Sequence, residues 1–269
     1  MGCSKEGQRT PRRDDMTKTI IEVRDLVTHY GETLVLDGLS CDVHDNEIFV
    51  IIGGSGCGKT TLLKHMTGLL RPTSGAIRYF GKDITQMDED QLAEVQRNIG
   101  IAFQSSGLMN SMTVGENVAL PLRESGLKDE VFVDALVRLK LSLVGLAAAQ
   151  HLMPAELSGG MRKRAGLARA IALDPPVVFF DEPSAGLDPI MAAGLDDLIL
   201  DLRKLLGLTF VIVTHELDSI RKVADSIVML DQGRVVFSGT VAEAESAPAP
   251  RVRQFFERRA DEFIMQRNM

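Results

Sequence analysis

The stretch VIIGGSGCGKTTLL, residues 50–63, decides the fold of this 269-residue chain. Four glycines fall within six residues, after an apolar run and before a lysine and two threonines. Ordering a glycine costs more conformational entropy than ordering any other residue, so the cluster indicates a backbone shape that other residues do not adopt. The apolar run is typical of a parallel strand buried on both faces, and the residues after the loop favour a helix. A glycine-rich loop therefore joins a buried strand to a helix.

Residues 53–60, GGSGCGKT, match the pattern G-x-x-x-x-G-K-[ST] of a phosphate-binding loop, or P-loop. Such a loop turns successive backbone N–H groups toward an anion, and the following helix adds positive potential. Lys59 can then reach the β- and γ-phosphates of a nucleotide, and the Thr60 hydroxyl can bind Mg²⁺. The alternative is a glycine-rich turn that only packs. The predicted nucleotide-binding residues here are Gly53, Gly54, Ser55, Gly56, Cys57, Gly58, Lys59, Thr60 and Thr61.

A second apolar run ends in two carboxylates. The stretch VVFFDE, residues 177–182, predicts a buried strand with Asp181 and Glu182 at its carboxyl end. Asp181 is predicted to hold Mg²⁺, and Glu182 to polarise the attacking water. Because acidic residues after a strand also form ordinary turns, this interpretation depends on the P-loop.

The composition excludes some classes of protein. A hydrophobic fraction of 45% and a charged fraction of 25% are those of a globular chain. The net charge of -7 provides no chain-wide positive field for nucleic acid. Cys3, Cys41 and Cys57 lack the spacing of a metal site or a disulfide framework, which favours a reduced, cytoplasmic setting. No apolar run approaches the roughly 18–20 residues that span a bilayer.

The pattern along the chain predicts an α/β protein. Strands alternate with helices from residue 175 onward, which favours a parallel sheet covered on both faces. Earlier segments are partly alternating, as in antiparallel strands, and residues 105–165 are mainly helical. The predicted strands are 20–30, 33–43, 47–52, 75–84, 177–181, 209–215 and 226–231, and the predicted helices include 60–70, 190–206 and 216–223.

An ordered set of further motifs resembles the ATP-binding cassette (ABC) family. LSGGM at 157–161 precedes the second apolar strand and SAGLDP at 184–189 follows it, while Gln104 and His215 each follow a strand. The resemblance implies a P-loop NTPase (RecA-like) fold of class α/β: a parallel-sheet core, an antiparallel β subdomain and an inserted α-helical subdomain. The nucleotide-binding domain is then expected at 20–240, with the helical subdomain at about 105–165, a disordered extension at 1–19 and a C-terminal extension at 241–269.

The resemblance also implies a role for each matching residue. Tyr30 corresponds to the aromatic residue that stacks on adenine, and Gln104 to a residue that binds the metal and takes part in catalysis. His215 corresponds to a catalytic histidine. The expected catalytic residues are therefore Glu182, His215, Gln104 and Lys59. Without the resemblance, Tyr30 could also be an ordinary strand aromatic, and a lone histidine such as His215 is more often structural than catalytic. Residues expected to complete the nucleotide site from a second subunit are Ser158, Gly159, Gly160 and Met161 of the signature, and Asp188.

The signature explains why such domains pair. Ser158 begins a predicted helix, whose free N–H groups form a second anion-binding end. In the family, the signature of one subunit closes over the nucleotide on the P-loop of the other. Since the chain contains one cassette, the resemblance implies a homodimer, or a pair with a close relative, that holds two ATP molecules and Mg²⁺.

Three stretches, residues 103–124, 152–176 and 250–256, are similar to the ATPases of Mla-type phospholipid transporters. Met161 is typical of that group, whereas most ABC members carry glutamine there. This similarity implies ATP-driven lipid transport that maintains outer-membrane asymmetry, from the cytoplasmic face of the inner membrane. The implied partners are an MlaE-like permease, an MCE-domain (MlaD-like) protein and, as a further candidate, a STAS-domain (MlaB-like) protein, with no nucleic acid. The alternative is the ATPase of an amino-acid or other solute importer.

Two apolar segments outside the motifs have open interpretations. A stripe on a predicted C-terminal helix can dock on the chain's own core or on a neighbouring subunit or accessory protein. A loop after Gln104 carries apolar side chains that can tuck into their own domain or face the permease. The stripe comprises Val252, Phe255, Phe256, Phe263 and Ile264, and the loop residues are Leu108, Met109 and Met112.

Overall fold

A computed structural model describes residues 18–259 of the chain. The strands are β1 Thr19–Tyr30, β2 Thr33–His44, β3 Ile48–Gly53, β4 Ser74–Tyr79, β5 Lys82–Asp83, β6 Ile99–Ala102, β7 Val177–Asp181, β8 Thr209–Val213, β9 Ser226–Asp231 and β10 Arg234–Gly239. The helices are α1 Lys59–Met66, α2 Glu89–Arg97, α3 Val114–Glu124, α4 Glu130–Leu143, α5 Gly159–Ala170, α6 Pro189–Leu206, α7 Leu217–Val223, α8 Val241–Ser246 and α9 Pro250–Phe256.

The central sheet has six strands in the order β10-β9-β3-β8-β7-β6. All neighbours are parallel except β10, which pairs antiparallel with β9. The strand that leads into the glycine-rich loop, β3, lies between β9 and β8. The loop therefore leaves the sheet at the carboxyl ends of the parallel strands, where nucleotide sites form in sheets of this kind.

Along β3, side chains alternate between two hydrophobic cores because successive residues of a strand point to opposite faces. Ile48, Val50 and Ile52 belong to a helical core, which also contains residues of α3–α9. Phe49 and Ile51 belong to a front core, shared with α1 and the strands β1, β2 and β4. Burial on both faces accounts for the continuous apolar run that the sequence shows before the loop.

A second sheet, antiparallel and in the order β2-β1-β4-β5, covers the front core. The predicted strand over 75–84 is interrupted here, which corrects that prediction. Phe80 and Gly81 have φ angles of 49° and 81°, so the chain turns and β5 pairs back onto β4. Two successive left-handed residues are typical of the tight turn of a β-hairpin.

The helical insert consists of α3, α4 and α5, and polar residues fix the starts of the first and last helices. Thr113 and Glu116 form a reciprocal capping box at α3, and the Ser158 hydroxyl accepts a hydrogen bond from the Met161 N–H at α5. The following helix, α6, starts at Pro189 after its cap Asp188. Within the described residues, no helix combines the length and the apolar character that crossing a membrane requires.

The C-terminal helix α9 packs on the chain's own domain. Val252 is fully buried and Phe256 is 8% exposed, and both belong to the helical core, with Phe255 packed against it. Of the two interpretations of this stripe, docking on the chain's own core describes these three residues. Phe263 and Ile264 lie outside the described residues.

Candidate nucleotide-binding site

Two features of the backbone shape the glycine-rich loop. Gly53 has a φ of 145°, and a Cβ atom there would lie 2.3 Å from the Leu230 carbonyl oxygen and 2.7 Å from the Cys57 sulfur. Gly58 caps α1 with a left-handed backbone and no side-chain hydrogen bond. The first N–H groups of α1 consequently lack a side-chain acceptor from the cap, which is the arrangement that binds an anion.

The Lys59 side chain crosses this loop. Its ammonium donates hydrogen bonds of 2.9 Å to the carbonyl oxygens of both Gly53 and Gly54. The Cys57 sulfur, 4.0 Å from the same ammonium, is 6% exposed, and burial raises the pKa of that thiol. A lysine held by two neutral carbonyls keeps its charge available for a phosphate, because no carboxylate of residues 18–259 forms an ion pair with it.

A cavity of about 950 Å³ opens over the loop. Eight of the predicted site residues line it: Gly53, Gly54, Ser55, Gly56, Cys57, Lys59, Glu182 and His215. The opposite wall comes from the C-terminal helix and the residues after it: Arg251, Gln254, Phe255, Arg258 and Arg259. Arg251 also pairs with Asp231 at 3.2 Å. The cavity therefore combines the P-loop, residues at or just after the carboxyl ends of β7, β8 and β9, and a basic wall.

Glu182 and His215 meet at the carboxyl edge of the sheet. The distance from His215 Nδ1 to Glu182 Oε1 is 2.9 Å. Since a carboxylate only accepts hydrogen bonds, Nδ1 carries the proton in this contact. Glu182 also has a φ of 47°, a left-handed conformation that is rare for glutamate and that clusters at functional sites. The contact with His215 thus fixes the Glu182 side chain at the cavity.

The residues at the end of β7 fit a hydrated cation. Asp181 Oδ1, Glu182 Oε2 and Ser184 Oγ are buried and have no hydrogen-bond partner within the described chain. Burial, reinforced by the neighbouring Glu182, raises the pKa of Asp181, and Lys163 and Lys59 oppose that rise. Buried polar atoms are normally satisfied, so these atoms fit ligands such as Mg²⁺ and its waters. Residues 18–259 contain no cluster of three or more His, Cys, Asp or Glu residues that could hold a metal without the nucleotide.

The signature and Asp188 lie side by side in this chain. A Cβ atom at Gly160 would lie 2.4 Å from the Met191 side chain, so glycine permits a close approach between α5 and α6. Asp188 accepts hydrogen bonds from the N–H groups of Ile190 and Met191, and Ile190 is 83% exposed. Neither the signature nor Asp188 lines the P-loop cavity. Within one chain, Ser158 and Asp188 are exposed outside that cavity, whereas Gly160 is buried.

The remaining predicted residues do not line the cavity. Gly58, Thr60 and Thr61 begin α1, with Gly58 buried and Thr60 exposed. Gln104, in the segment between β6 and α3, is exposed. Tyr30, the last residue of β1, is 48% exposed and is not part of the cavity lining.

Sequence reasoning missed two groups of residues around the site. Lys163 is buried on α5 and contacts the segments of both Gln104 and Glu182, a contact between residues far apart in sequence. The second group is the arginines of the C-terminal segment, whose place at the cavity depends on how α9 docks. The basic run RKR at 162–164 was the only signal for Lys163.

A family model described as ABC transporter matches residues 36–185. The chain is 40% identical over 242 residues to the intermembrane phospholipid transport system ATP-binding protein MlaF of Escherichia coli, covering 90% of each chain. The chain belongs to the ABC transporter family. It is also 40% identical over 235 residues to the methionine import ATP-binding protein MetN of Brucella abortus, covering 87% of this chain and 63% of MetN. The chain thus spans less than two thirds of that ABC relative.

Solved ABC structures agree with the architecture. The dimeric post-hydrolysis structure of the ATP-binding cassette MJ0796, bound to ADP and Pi, superimposes with a TM-score of 0.76 at 28% identity. The match covers 82% of this chain and 99% of that one. The predicted fold class and the predicted family are both confirmed.

Proposed function

We propose that this chain is the ATP-hydrolysing subunit of a membrane transporter and that Glu182 activates the attacking water. The observation that carries this proposal is the 2.9 Å contact between Glu182 Oε1 and His215 Nδ1 at the P-loop cavity. It leaves Glu182 Oε2 buried and without a hydrogen-bond partner in the described chain. A general base must reach the proton that it accepts, and this oxygen is the one available to a water molecule.

The other residues divide binding and orientation between them. The loop N–H groups and Lys59 bind the phosphates of ATP, and Cys57 packs beneath the loop. Thr60, Asp181 and Gln104 would hold Mg²⁺, which neutralises charge on the phosphate oxygens when bound. His215 orients the Glu182 carboxylate, so that it accepts the water proton while the γ-phosphate bond breaks. Tyr30 stacks on adenine in this proposal.

A second copy completes the site. Ser158 and Asp188 are exposed and do not line the P-loop cavity of their own chain, which suits contact with the nucleotide of another subunit. The Ser158 hydroxyl satisfies only the Met161 N–H at the start of α5. The earlier N–H groups of that helix remain available to a phosphate.

The transported substrate in this proposal is phospholipid. MlaF supports this assignment because the similarity covers 90% of that relative, whereas more than a third of MetN has no counterpart in this chain. The proposed partners are an MlaE-like permease, an MCE-domain protein and a STAS-domain protein, at the cytoplasmic face of the inner membrane. The second candidate is a methionine importer, which the 40% identity to MetN favours.

Replacing Glu182 by glutamine tests the chemistry. The amide cannot accept a proton, so hydrolysis should slow by about 10² to 10⁴ while ATP still binds. Glu130→Gln provides a control, because it removes a carboxylate whose contact is the exposed Arg123 on the helical insert. A Glu182→Gln variant that hydrolyses ATP at the rate of Glu130→Gln would contradict the assignment.

Purification of the intact complex from native membranes tests the substrate. A tagged full chain should co-purify with a permease, an MCE-domain protein and bound phospholipid, and vesicles of mixed phospholipids should change its ATPase rate. An ATPase that ignores those vesicles but responds to methionine in the presence of a methionine-binding protein would favour the importer.

A further inference from the structure

Lys163, on the second turn of α5, is a buried ammonium that has no carboxylate of residues 18–259 in hydrogen-bond contact. Lys163 is 6% exposed. Burial lowers the pKa of its ammonium, although Asp181 and Glu182 oppose that shift. The Nζ atom donates one hydrogen bond of 2.5 Å to the Gln104 carbonyl and another of 2.9 Å to the Glu182 carbonyl. One side chain thus joins the backbones of two segments that flank the nucleotide cavity.

The same helix holds the rest of the segment after Gln104. Arg169 donates hydrogen bonds of 2.7 Å to the Gly107 carbonyl and 3.3 Å to the Ser106 carbonyl. At Gly166, between these two basic residues, an added Cβ atom would lie 2.9 Å from the Ser106 carbonyl oxygen. The helix and the segment 104–107 are therefore in close backbone contact along two turns. Lys163 extends this contact to Glu182.

Glu182 needs such support more than an ordinary residue does. Its backbone lies in the left-handed region at a φ of 47°, and its N–H is bound to the Val213 carbonyl at 2.8 Å. The carbonyl on the other side of the same residue accepts the hydrogen bond of 2.9 Å from Lys163 and a longer one of 3.3 Å from the Ala185 N–H. A strained conformation persists only where its surroundings determine it, so these backbone hydrogen bonds, of which Lys163 provides the shorter one to the carbonyl, set the direction of the carboxylate.

We propose that Lys163 is a positioning residue, which fixes the Gln104 and Glu182 backbones together so that both side chains address one nucleotide. The proposal rests on the role given to Glu182 above. Because Ser158 caps the same helix, Lys163 also links the surface that faces a second subunit to the hydrolytic carboxylate of its own subunit. Because nucleotide binding depends on the P-loop, we expect it to be largely independent of Lys163.

The alternative is that Lys163 matters only as a buried lysine. Lys140 on α4 provides the matched control, because its side chain is 2% exposed and its ammonium pairs with Asp174, among residues that do not line the cavity. Replacing either lysine by methionine removes one buried ammonium and keeps an unbranched side chain. Only Lys163→Met removes hydrogen bonds to the Gln104 and Glu182 backbones.

The experiment measures kcat, KM, ATP affinity and thermal stability of the purified full chain and of its complex. Lys163→Met should lower kcat by about tenfold or more, the effect of losing a hydrogen bond to a charged group, with ATP affinity changed less than about threefold. Lys163→Arg retains charged donors and should recover most of the lost kcat, and Lys140→Met should keep the kcat of the unmodified chain. A Lys163→Met variant with unchanged kcat, or with the same loss as Lys140→Met, would overturn the proposal.

Hydrogen–deuterium exchange provides a readout that does not depend on hydrolysis. Amides of residues 103–107 and 182–185 should exchange faster in Lys163→Met than in Lys140→Met, and equal exchange in the two variants would overturn the positioning role. If the unmodified chain hydrolyses no ATP, the proposed function fails while this measurement still decides the role of Lys163.

Discussion

Replacing Gly53 by alanine tests how much the close packing of the P-loop backbone contributes to the stability of the chain, independently of nucleotide binding. The added Cβ would lie 2.3 Å from a backbone oxygen of β9, at Leu230, which is a fixed atom of the central sheet. Two costs then combine: about 1–3 kcal/mol for a backbone that L-residues rarely adopt, and about 1–3 kcal/mol for overpacking. Gly53→Ala should therefore destabilise the chain by roughly 2–6 kcal/mol.

Two neighbouring glycines provide graded controls. Gly56 has a φ of 76° but open space around the added atom, so Gly56→Ala should cost only the left-handed backbone, about 1–2 kcal/mol. Gly54 has neither an unusual φ nor a neighbour within 4 Å. Gly54→Ala should be neutral or stabilise by up to about 1 kcal/mol, through the reduced freedom of the unfolded chain.

The assay is thermal and urea unfolding without nucleotide, so that lost phosphate contacts do not enter the result. At roughly 2–4 °C per kcal/mol for a chain of this size, Gly53→Ala should lower Tm by roughly 4–24 °C. The order of stability should be Gly54→Ala, then Gly56→Ala, then Gly53→Ala. A Gly53→Ala chain as stable as Gly54→Ala would refute the reasoning from close approach.

Three further predictions concern other parts of the chain. Because burial raises the pKa of Cys57, its alkylation should be slow at neutral pH and faster as pH rises. Alkylation should inhibit ATP hydrolysis, ATP should protect against it, and Cys57→Ser should abolish the inhibition. Cys41, whose pKa burial raises to about 12, should react more slowly still. Met109 is 46% exposed, so Met109→Asp should preserve ATPase activity of the isolated chain but weaken co-purification with the permease, whereas full co-purification would exclude this contact. Phe256→Ala should destabilise the chain by about 3–5 kcal/mol in urea unfolding, since Phe256 belongs to the helical core, and an unchanged midpoint would contradict that packing.

Much of the central sheet could be predicted because its strands carry strong local signals. The prediction 177–181 coincides with β7, and 226–231 coincides with β9, since both runs are apolar and end at turn-forming residues. Two of the elements that the sequence did not predict, α2 and β10, lack such a signal. None of the residues of α2 is buried, and β10 alternates between exposed and half-buried positions, so neither presents a clear apolar pattern.

The candidate site divides in the same way. The P-loop and the carboxylates after β7 are local motifs, and their residues lie at one cavity or directly beside it. The contacts of Lys163 join residues 59 and 19 positions away, which no local pattern specifies. For the C-terminal stripe, amphipathic spacing predicts that Val252 and Phe256 are buried but does not identify the surface that covers them.

The place of β3 in the sheet affects how this protein folds during its synthesis on the ribosome. The strand that leads into the P-loop is synthesised early, yet both of its neighbours, β8 and β9, lie in the last quarter of the chain. Roughly 150 residues separate β3 from β8, which at about 5–20 residues per second takes roughly 8–30 s to synthesise. During that interval a nascent chain exposes an apolar strand with two unpaired edges, so chaperone demand should peak before residue 209 emerges. The nucleotide can therefore stabilise this protein only near the end of its synthesis.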